Sequence, residues 1–340
     1  MKTKDFIFTT LTRISNLEKE PFEVRKLPLD KWETSDYVVA RITDLGSSDA
    51  KLELPNGRMR GVMGDELVIG ALGIRFATLE ATGTWKEVGE DGRMHMLSAG
   101  GLMGKLTSKS MFMPAMIAVR YQGHVMRNDN KVRMDDFMSS YQSRPYTIPT
   151  ILFIGTSMSA GKTTSARIVT SLLSRSGYKV LGAKITGTGR YRDILAVKDV
   201  GAEKVLDFVD AGLPSSICPS EIYRERLDYM LSRMEAEKPD VAVVEIGASP
   251  LEPYNGDIAY EAIKNQVKCC ILSASDPYAV YGLQAAFKVN PDLVTGIATN
   301  TLGGQEMVEQ LCGVPALNLL DPSSIPRLKS ILRQKLGMKV

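Results

Sequence analysis

The residues with the clearest chemistry lie in the stretch FIGTSMSAGKTTSARI, residues 153–168. An apolar run, ILFIG, is followed by a loop of small residues and then by a helical pattern that starts at Gly-Lys-Thr. Backbone N–H groups at such a helix start bind phosphate oxygens, and the helix dipole adds attraction. Lys162 would reach the β- and γ-phosphates, and the Thr163 hydroxyl would ligate Mg²⁺. The residues expected to hold the nucleotide are Gly155, Thr156, Ser157, Met158, Ser159, Ala160, Gly161, Lys162, Thr163 and Thr164.

This loop departs from the usual formula GxxxxGK[ST], because Thr156 stands where the first glycine belongs and Gly155 lies one position earlier. The spelling GTxxxxGKT resembles the dethiobiotin synthetase-like branch of P-loop enzymes, and the resemblance covers residues 148–320. Uncharacterised two-domain P-loop proteins of the DUF1611 type look closer. They share the loop spelling, a GA before an acidic helix (VGAEKVLDFVDAG here) and a Glu-x-Gly loop. The resemblance implies an ATP- and Mg²⁺-dependent, ligase-like enzyme.

A second lysine ends the apolar run KVLGAKI. Lys184 matches the lysine that the branch uses near phosphate and substrate, although Ile185 replaces the proline that follows it there. A lysine at the carboxyl end of a parallel strand points into the crevice where such sheets bind ligands, and it can neutralise phosphate or carboxylate charge. Lys162 and Lys184 are therefore the expected catalytic residues. A solvated strand end is the alternative interpretation of Lys184.

Carboxylates near these lysines are the expected metal ligands. The strand candidate VAVVEIG ends in Glu245, and a buried strand should not end in an unpaired carboxylate because desolvation is costly without a cation. Mg²⁺ would supply that cation, although a helix cap or a surface ion pair is the alternative. Asp193, in GRYRDI, is the second expected ligand because the branch places an acidic residue after its lysine strand, and Asp199 is its rival. The expected metal ligands are Thr163, Asp193 and Glu245.

The stretch GIATNTLGG concerns the choice of base. Guanine-specific P-loop proteins use Asn-Lys-x-Asp, but position 303 is glycine, so adenine is favoured and the expected cofactors are ATP and Mg²⁺. Asn300 resembles the base-reading asparagine of the branch, although asparagine at a strand end is also a common turn former. Two loops that follow strand ends are expected to contact the substrate. With Lys184, their candidate substrate residues are Ser249, Glu252, Tyr254, Asn255, Ser275 and Asp276.

The pattern along the chain predicts two domains, 1–145 and 146–340. Residues 37–119 alternate short β-rich runs with glycine turns, which predicts a small antiparallel sheet or barrel with a hairpin at LPNGR, residues 54–58. From residue 147 onward, apolar strand candidates alternate with helix candidates that include residues 162–174, 221–236 and 325–334. This half is predicted to be α/β, with a mostly parallel, doubly wound sheet. Its strand candidates are TILFIG, KVLGAKI, DVAVVEIG, VKCCILSAS, DLVTGIAT and VPALNLL.

The amino-acid composition and charge limit which other classes of protein fit this chain. The net charge of +3 over 340 residues is too small to indicate a nucleic-acid or membrane surface. No apolar run is long enough to cross a bilayer, and the first residues do not resemble a secretory signal, so we expect a cytoplasmic protein. The four cysteines have no CxxC spacing and are expected to be structural thiols. The sequence leaves open whether the chain forms a homo-oligomer.

These patterns favour an enzyme that uses ATP and Mg²⁺ to activate or phosphorylate a small-molecule carboxylate or carbamate. Biotin synthesis is disfavoured, because dethiobiotin synthetases have aspartate where this chain has Ser157 and lack a region like residues 1–145. Two alternatives stay open. One is an N-acyltransferase whose P-loop holds the phosphates of coenzyme A, since some relatives of the two-domain family are thought to acylate D-amino acids. The other is a regulatory or chaperone NTPase that acts on a partner protein.

Overall fold

The structure is a computed structural model that describes residues 5–340 and divides into two compact units. The first unit comprises Met1–Ser140, Thr188–Arg192 and Phe208–Pro219. The second comprises Tyr141–Gly187, Asp193–Asp207 and Ser220–Val340. Two short segments from the C-terminal half of the chain therefore belong to the first unit. Among residues 5–340, no helix has both the length and the apolar character needed to cross a bilayer.

The first unit is built on a mixed sheet of ten strands. Strand β6 pairs with β3, β3 with β11, β11 with β9 and β9 with β10, and a parallel pairing of β10 with β6 closes these five strands into a ring. The strands of this unit are β1 (Phe6–Phe8), β2 (Glu23–Arg25), β3 (Tyr37–Asp44), β4 (Lys51–Glu53), β5 (Met59–Gly61), β6 (Leu67–Leu72), β7 (Ile74–Phe76), β8 (Ala81–Thr84), β9 (Arg93–Met96), β10 (Leu102–Lys109), β11 (Ala118–Arg127) and β12 (Asn130–Lys131).

Side chains alternate between the two faces of a strand, and this alternation explains the core of the first unit. Val38, Ala40 and Ile42 of β3 share one face and are buried in one apolar cluster with side chains from β6 and β9. The predicted hairpin at LPNGR is confirmed, because β4 and β5 pair in antiparallel fashion across residues 54–58. Gly57 has a φ of +83°, a left-handed conformation that glycine adopts without strain. The hairpin leaves Glu53, the last residue of β4, fully buried.

The second unit has the predicted fold class, a P-loop NTPase-like α/β domain with a parallel sheet of six strands in the order β15-β14-β16-β13-β17-β18. The strands are β13 (Thr150–Gly155), β14 (Val180–Thr186), β15 (Lys204–Asp207), β16 (Val241–Ile246), β17 (Val267–Ser273) and β18 (Leu293–Thr295). The helices are α1 (Lys162–Arg175), α2 (Tyr191–Lys198), α3 (Ser220–Ala236), α4 (Gly256–Ile263), α5 (Pro277–Phe287), α6 (Leu302–Cys312) and α7 (Ile325–Leu336).

The central strands of this sheet are buried on both faces. All six residues of β13 and all six of β16 are buried, as expected for strands at the centre of a parallel sheet. After β13 the chain forms β14, β15 and β16 on one side of β13, and then β17 and β18 on its other side. Because the carboxyl ends of β13, β14 and β16 lie at one edge of the sheet, their terminal residues are neighbours.

Three sequence interpretations of this unit were wrong in part. The VPALNLL run is not a strand, since only Ala316 forms an isolated bridge, to Val294. The strand in DLVTGIAT ends at Thr295, because Gly296 has a φ of +90° and turns the chain away from the sheet. The supposed acidic helix in VGAEKVLDFVDAG contains β15 instead, because its short apolar run pairs with β14 along the edge of the sheet.

Candidate functional site

The phosphate loop connects β13 to α1 in the predicted strand, loop and helix order. Gly161, directly before the helix, has a φ of +106°, which explains the need for glycine there. The Lys162 side chain is buried, and its Nζ donates to the Ser157 carbonyl at 2.6 Å. A Cβ on Gly155 would lie 2.9 Å from that Nζ, so glycine at this position leaves room for the lysine. The sequence therefore folds into a loop that surrounds the ammonium of Lys162.

The unusual Thr156 has a role in fixing this loop. Its N–H donates to the Ser273 carbonyl at 3.1 Å, and its Oγ1 accepts the N–H of Ser275 at 3.0 Å. Ser275 in turn donates to Asp276, which caps α5 by accepting the N–H of Ala279 at 2.9 Å. The threonine thus joins the phosphate loop to the segment after β17, a connection that glycine could not make through a side chain. These contacts also give Ser275 and Asp276 structural roles, and their contact with a substrate stays a prediction.

Two oxygen groups suited to Mg²⁺ lie beside the loop. The Thr163 hydroxyl donates to Glu245 Oε2 at 3.0 Å, and Glu245 is buried at the end of β16. Hydroxyl and carboxylate oxygens are the ligands that Mg²⁺ prefers, and at phosphate sites the ion takes its other ligands from water and phosphate. Residues 5–340 contain no group of three or more His, Cys, Asp or Glu side chains placed to hold a metal unaided. The pair could therefore hold Mg²⁺ together with a bound phosphate.

The third expected metal ligand has another partner in the structure. Asp193 accepts from Lys184 Nζ at 2.6 Å, in the first turn of α2. Its rival Asp199 follows the end of α2 and is exposed, which favours Asp193 as the residue near the site. Lys184 pairs in register with Glu245 on the adjacent strand, so the two side chains are neighbours at the same edge of the sheet. Metal ligation by Asp193 stays a prediction.

The two lysines differ in their electrostatic environment. Burial lowers the pKa of Lys162, and the charge of Lys184 lowers it further although Glu245 opposes both effects. Burial acts in the same direction on Lys184, but the charges of Asp193 and Glu245 outweigh it and raise the pKa of that lysine. Lys184 is therefore a fixed positive charge, whereas no ion pair joins Lys162 to a carboxylate within residues 5–340.

One carboxylate near Lys184 was missed by the sequence analysis. Asp207 ends β15 and pairs in register with Lys184, so the lysine lies between acidic residues on both neighbouring strands. Asp207 is also buried, and its charge contributes to the raised pKa of Lys184. The signal was present in the sequence, since the short run KVLD ends in an aspartate as VAVVE ends in a glutamate. It was overlooked because the segment was interpreted as a helix.

A small cavity adjoins the phosphate loop on the side of β18. It has a volume of about 110 Å³, and Asn300 contributes to its lining. Gly296 approaches the loop so closely that a Cβ there would lie 2.2 Å from the Ala160 carbonyl. The position of Asn300 is suited to contact with a base that extends from the phosphate loop, although this role stays a prediction. The other lining residues include Gly161, Thr164, Ile297, Asn318 and Leu320.

The loop after β16 contains the other candidate substrate residues, and it is folded tightly on itself. Glu252 is buried and accepts the N–H of Ser249 at 2.8 Å. Tyr254 is fully buried, and Asn255 precedes α4 with a φ of +59°. Ala248 also has a positive φ, +58°, so the backbone is strained where it leaves the strand. The structure places these residues directly after Glu245, and their contact with substrate stays a prediction.

Comparisons with known proteins reveal distant structural likenesses. No family profile matches the chain, and no curated protein does. Chloroplast FtsY from Physcomitrella patens is 14% identical over 52% of this chain and 59% of that one, with a TM-score of 0.37. HypB from Helicobacter pylori, solved with nickel, is 14% identical over 56% of this chain and 88% of that one, with a TM-score of 0.37.

A DUF1611 family protein from Anabaena variabilis is 14% identical over 58% of this chain and 60% of that one, with a TM-score of 0.37. This chain therefore spans about three fifths of the length of both the FtsY and the DUF1611 structure. Likenesses this distant carry no functional argument. The P-loop NTPase fold rests on the chain's own geometry, namely the parallel sheet, the loop after β13 and the buried lysine at the start of α1.

Proposed function

We propose that this protein is an ATP- and Mg²⁺-dependent enzyme that activates or phosphorylates the carboxylate or carbamate of a small-molecule substrate. The observation that carries the proposal is the placement of Lys184 beside Glu245, whose carboxylate accepts from the Thr163 hydroxyl at 3.0 Å. An oxygen pair suited to a metal thus adjoins both the phosphate loop and a second lysine.

In the proposed reaction, a substrate carboxylate oxygen attacks the γ-phosphorus, an acyl phosphate forms and ADP leaves. Loop N–H groups and Lys162 hold the triphosphate, and bound Mg²⁺ would neutralise charge on the phosphates. Lys184 then balances the negative charge of the transferring group. Positioning and electrostatic stabilisation account for most of the catalysis in phosphoryl transfer, so no general base is needed for an ionised carboxylate.

The proposal includes adenine as the base. The amide of Asn300 can both donate and accept, which suits the edge of adenine, and Asn300 contributes to the cavity beside the phosphate loop. Position 303 is glycine within α6, so the aspartate that reads guanine is absent from the matching place. Tighter binding of GTP than of ATP in calorimetry would contradict this part of the proposal.

Hydroxylamine trapping tests the reaction itself. Acyl phosphates react with hydroxylamine to form hydroxamates, so the protein should produce hydroxamate and ADP when it is given MgATP and a suitable member of a panel of small carboxylates. Lys184→Met should abolish this product while MgATP still binds. Lys179→Met is the matched control, because Lys179 precedes the same strand at its other end and donates to a backbone carbonyl. Equal loss in both variants would contradict the role of Lys184.

The same assay separates the alternatives. An N-acyltransferase would consume an acyl coenzyme A in the presence of an amine acceptor without ATP. A regulatory NTPase would release phosphate slowly, without hydroxamate, and would respond to a partner protein rather than to a small carboxylate. Either result in place of ADP and hydroxamate would overturn the proposed function.

A further inference from the structure

A buried carboxylate of the first unit accepts hydrogen bonds from the start of helix α2. Glu53, at the end of β4, has no exposed surface. Its Oε2 accepts the N–H of Tyr191 at 2.9 Å, and its Oε1 accepts the N–H of Arg192 at 2.8 Å. Glu53, Tyr191 and Arg192 belong to the same compact unit, although 138 positions of sequence separate Glu53 from Tyr191.

These two hydrogen bonds provide acceptors for backbone N–H groups at the start of the helix. The first N–H groups of an α-helix have no partner within the helix, and a carboxylate at that end also interacts favourably with the helix dipole. Bonds of this kind satisfy a buried carboxylate that would otherwise be costly to desolvate. The same turn has a second contact, because the Arg13 guanidinium lies 4.6 Å from the centre of the Tyr191 ring. The first turn of α2 is thus fixed by its surroundings.

The next residue of the helix leads to the candidate site. Asp193 follows Arg192 in the first turn of α2 and accepts from Lys184 Nζ at 2.6 Å within the second unit. Because Asp193 is itself in the first turn of α2, a change in the backbone of that turn would alter the direction of its carboxylate. Lys184 would then lose the partner that fixes its ammonium.

We propose that Glu53 is a positioning residue for Lys184: it fixes the first turn of α2, so that Asp193 holds the lysine ammonium at the end of β14. The proposal rests on the proposed function, in which Lys184 serves the transferring group. It gives Glu53 a part in catalysis without contact with the nucleotide.

Hydrogen exchange on the whole 340-residue chain tests the structural half of this inference. Glu53→Gln retains size but loses the charge and one of the two acceptors, so amides of residues 191–198 should exchange faster, by roughly 3- to 30-fold, as expected when a helix loses a side-chain cap. Glu66→Gln is the matched control, because Glu66 lies in the same unit and is held by Arg60 and by the Met63 N–H, both at 2.7 Å. Unchanged exchange in Glu53→Gln would overturn the proposal, and so would equal acceleration in both variants.

Kinetics test the functional half. Glu53→Gln should lower kcat for hydroxamate formation by roughly 3- to 30-fold, the factor expected for hydrogen exchange. The affinity for MgADP should change by less than about 2-fold, because the phosphate loop is unchanged. Combined with Asp193→Asn, the double variant should be no slower than the slower single variant, since both act through Lys184. Multiplicative effects, or a loss of MgADP affinity in Glu53→Gln, would show that Glu53 acts by another route.

Two outcomes keep this inference separate from the proposed function. If the protein forms no hydroxamate with any carboxylate, the proposed function fails, and the hydrogen-exchange comparison still decides whether Glu53 fixes the helix. If Glu53→Gln does not fold, Glu53→Asp retains the charge with a shorter reach and should give a smaller change in the same direction. A folded Glu53→Asp variant with exchange at residues 191–198 equal to wild type would overturn the inference.

Discussion

Replacing Glu245 by glutamine separates the charge of this side chain from its size. The carboxylate is 8% exposed and accepts from Thr163, so glutamine can occupy the same volume and accept the same hydrogen bond through its amide oxygen. What it removes is the negative charge beside the expected metal. We expect the variant to fold and to require far more Mg²⁺ for nucleotide binding.

The size of the effect follows from the geometry. At 3.0 Å from the Thr163 hydroxyl, Glu245 is close enough either to bind the ion directly or to orient a ligand that does. Loss of an oriented partner of a metal ligand typically costs about 10- to 100-fold in metal affinity, and we expect a rise of that order in the Mg²⁺ concentration at half-saturation. Affinity for ADP without Mg²⁺ should not fall, because phosphate loses a repulsive neighbour.

Calorimetric titration of ADP at a series of Mg²⁺ concentrations measures both quantities. Thr163→Val should give a rise like that of Glu245→Gln, whereas Thr163→Ser retains the hydroxyl and should resemble the wild type. Glu252→Gln serves as a control, since Glu252 is also buried and lies on the loop after the same strand, but it accepts from Ser249. The reasoning is refuted if Mg²⁺ dependence is the same in Glu245→Gln and the wild type.

Three further outcomes are expected. Lys162→Ala should weaken ADP binding by about 10- to 150-fold, the equivalent of one charge-assisted hydrogen bond, without lowering the melting temperature. Burial lowers the pKa of Lys162 and a bound phosphate would raise it, so ADP binding at alkaline pH should be accompanied by proton uptake. Calorimetry in two buffers of different ionisation enthalpy measures this uptake, and Lys162→Arg should show none. Thr156→Gly, which restores the usual P-loop formula, should lower the free energy of unfolding by about 1–2 kcal/mol because the N–H of Ser275 loses its acceptor. Thr156→Ser retains the hydroxyl and should not lower it, and chemical denaturation of the two variants measures the difference.

The predictions that succeeded depended on local signals. Helix α1 starts at Lys162 as expected, because the residues that form the loop and the helix start are adjacent in sequence. The hairpin between β4 and β5 was equally accessible, since Asn-Gly specifies a turn without distant contacts. Glu245 lies near the end of its buried strand as the local pattern indicated, whereas its role as a metal ligand stays a prediction.

The features that escaped prediction depend on distant pairing. A short apolar run such as KVLD is compatible with helix or strand, and only its pairing with β14 decides the outcome. The sequence predicted an antiparallel sheet or barrel in the first unit, but it did not predict the parallel pairing of β6 with β10, because that pairing leaves no periodic mark on the sequence. The contact of Glu53 with α2 joins residues far apart in the chain, so nothing near either end indicates it.

The charges around Lys184 suggest what must change when MgATP binds. The charges of four carboxylates, those of Asp193, Asp207, Glu245 and Glu252, act on Lys162 or Lys184. A nucleotide phosphate adds more negative charge, and Mg²⁺ offsets only part of it. Lys184 can serve the transferring group only if its ammonium moves from Asp193 toward the phosphate, which it can do by rotation of its side chain. The ion pair at 2.6 Å would then be the position from which Asp193 directs the catalytic lysine toward the phosphate, and Asp193→Asn should lower turnover because it removes that orientation.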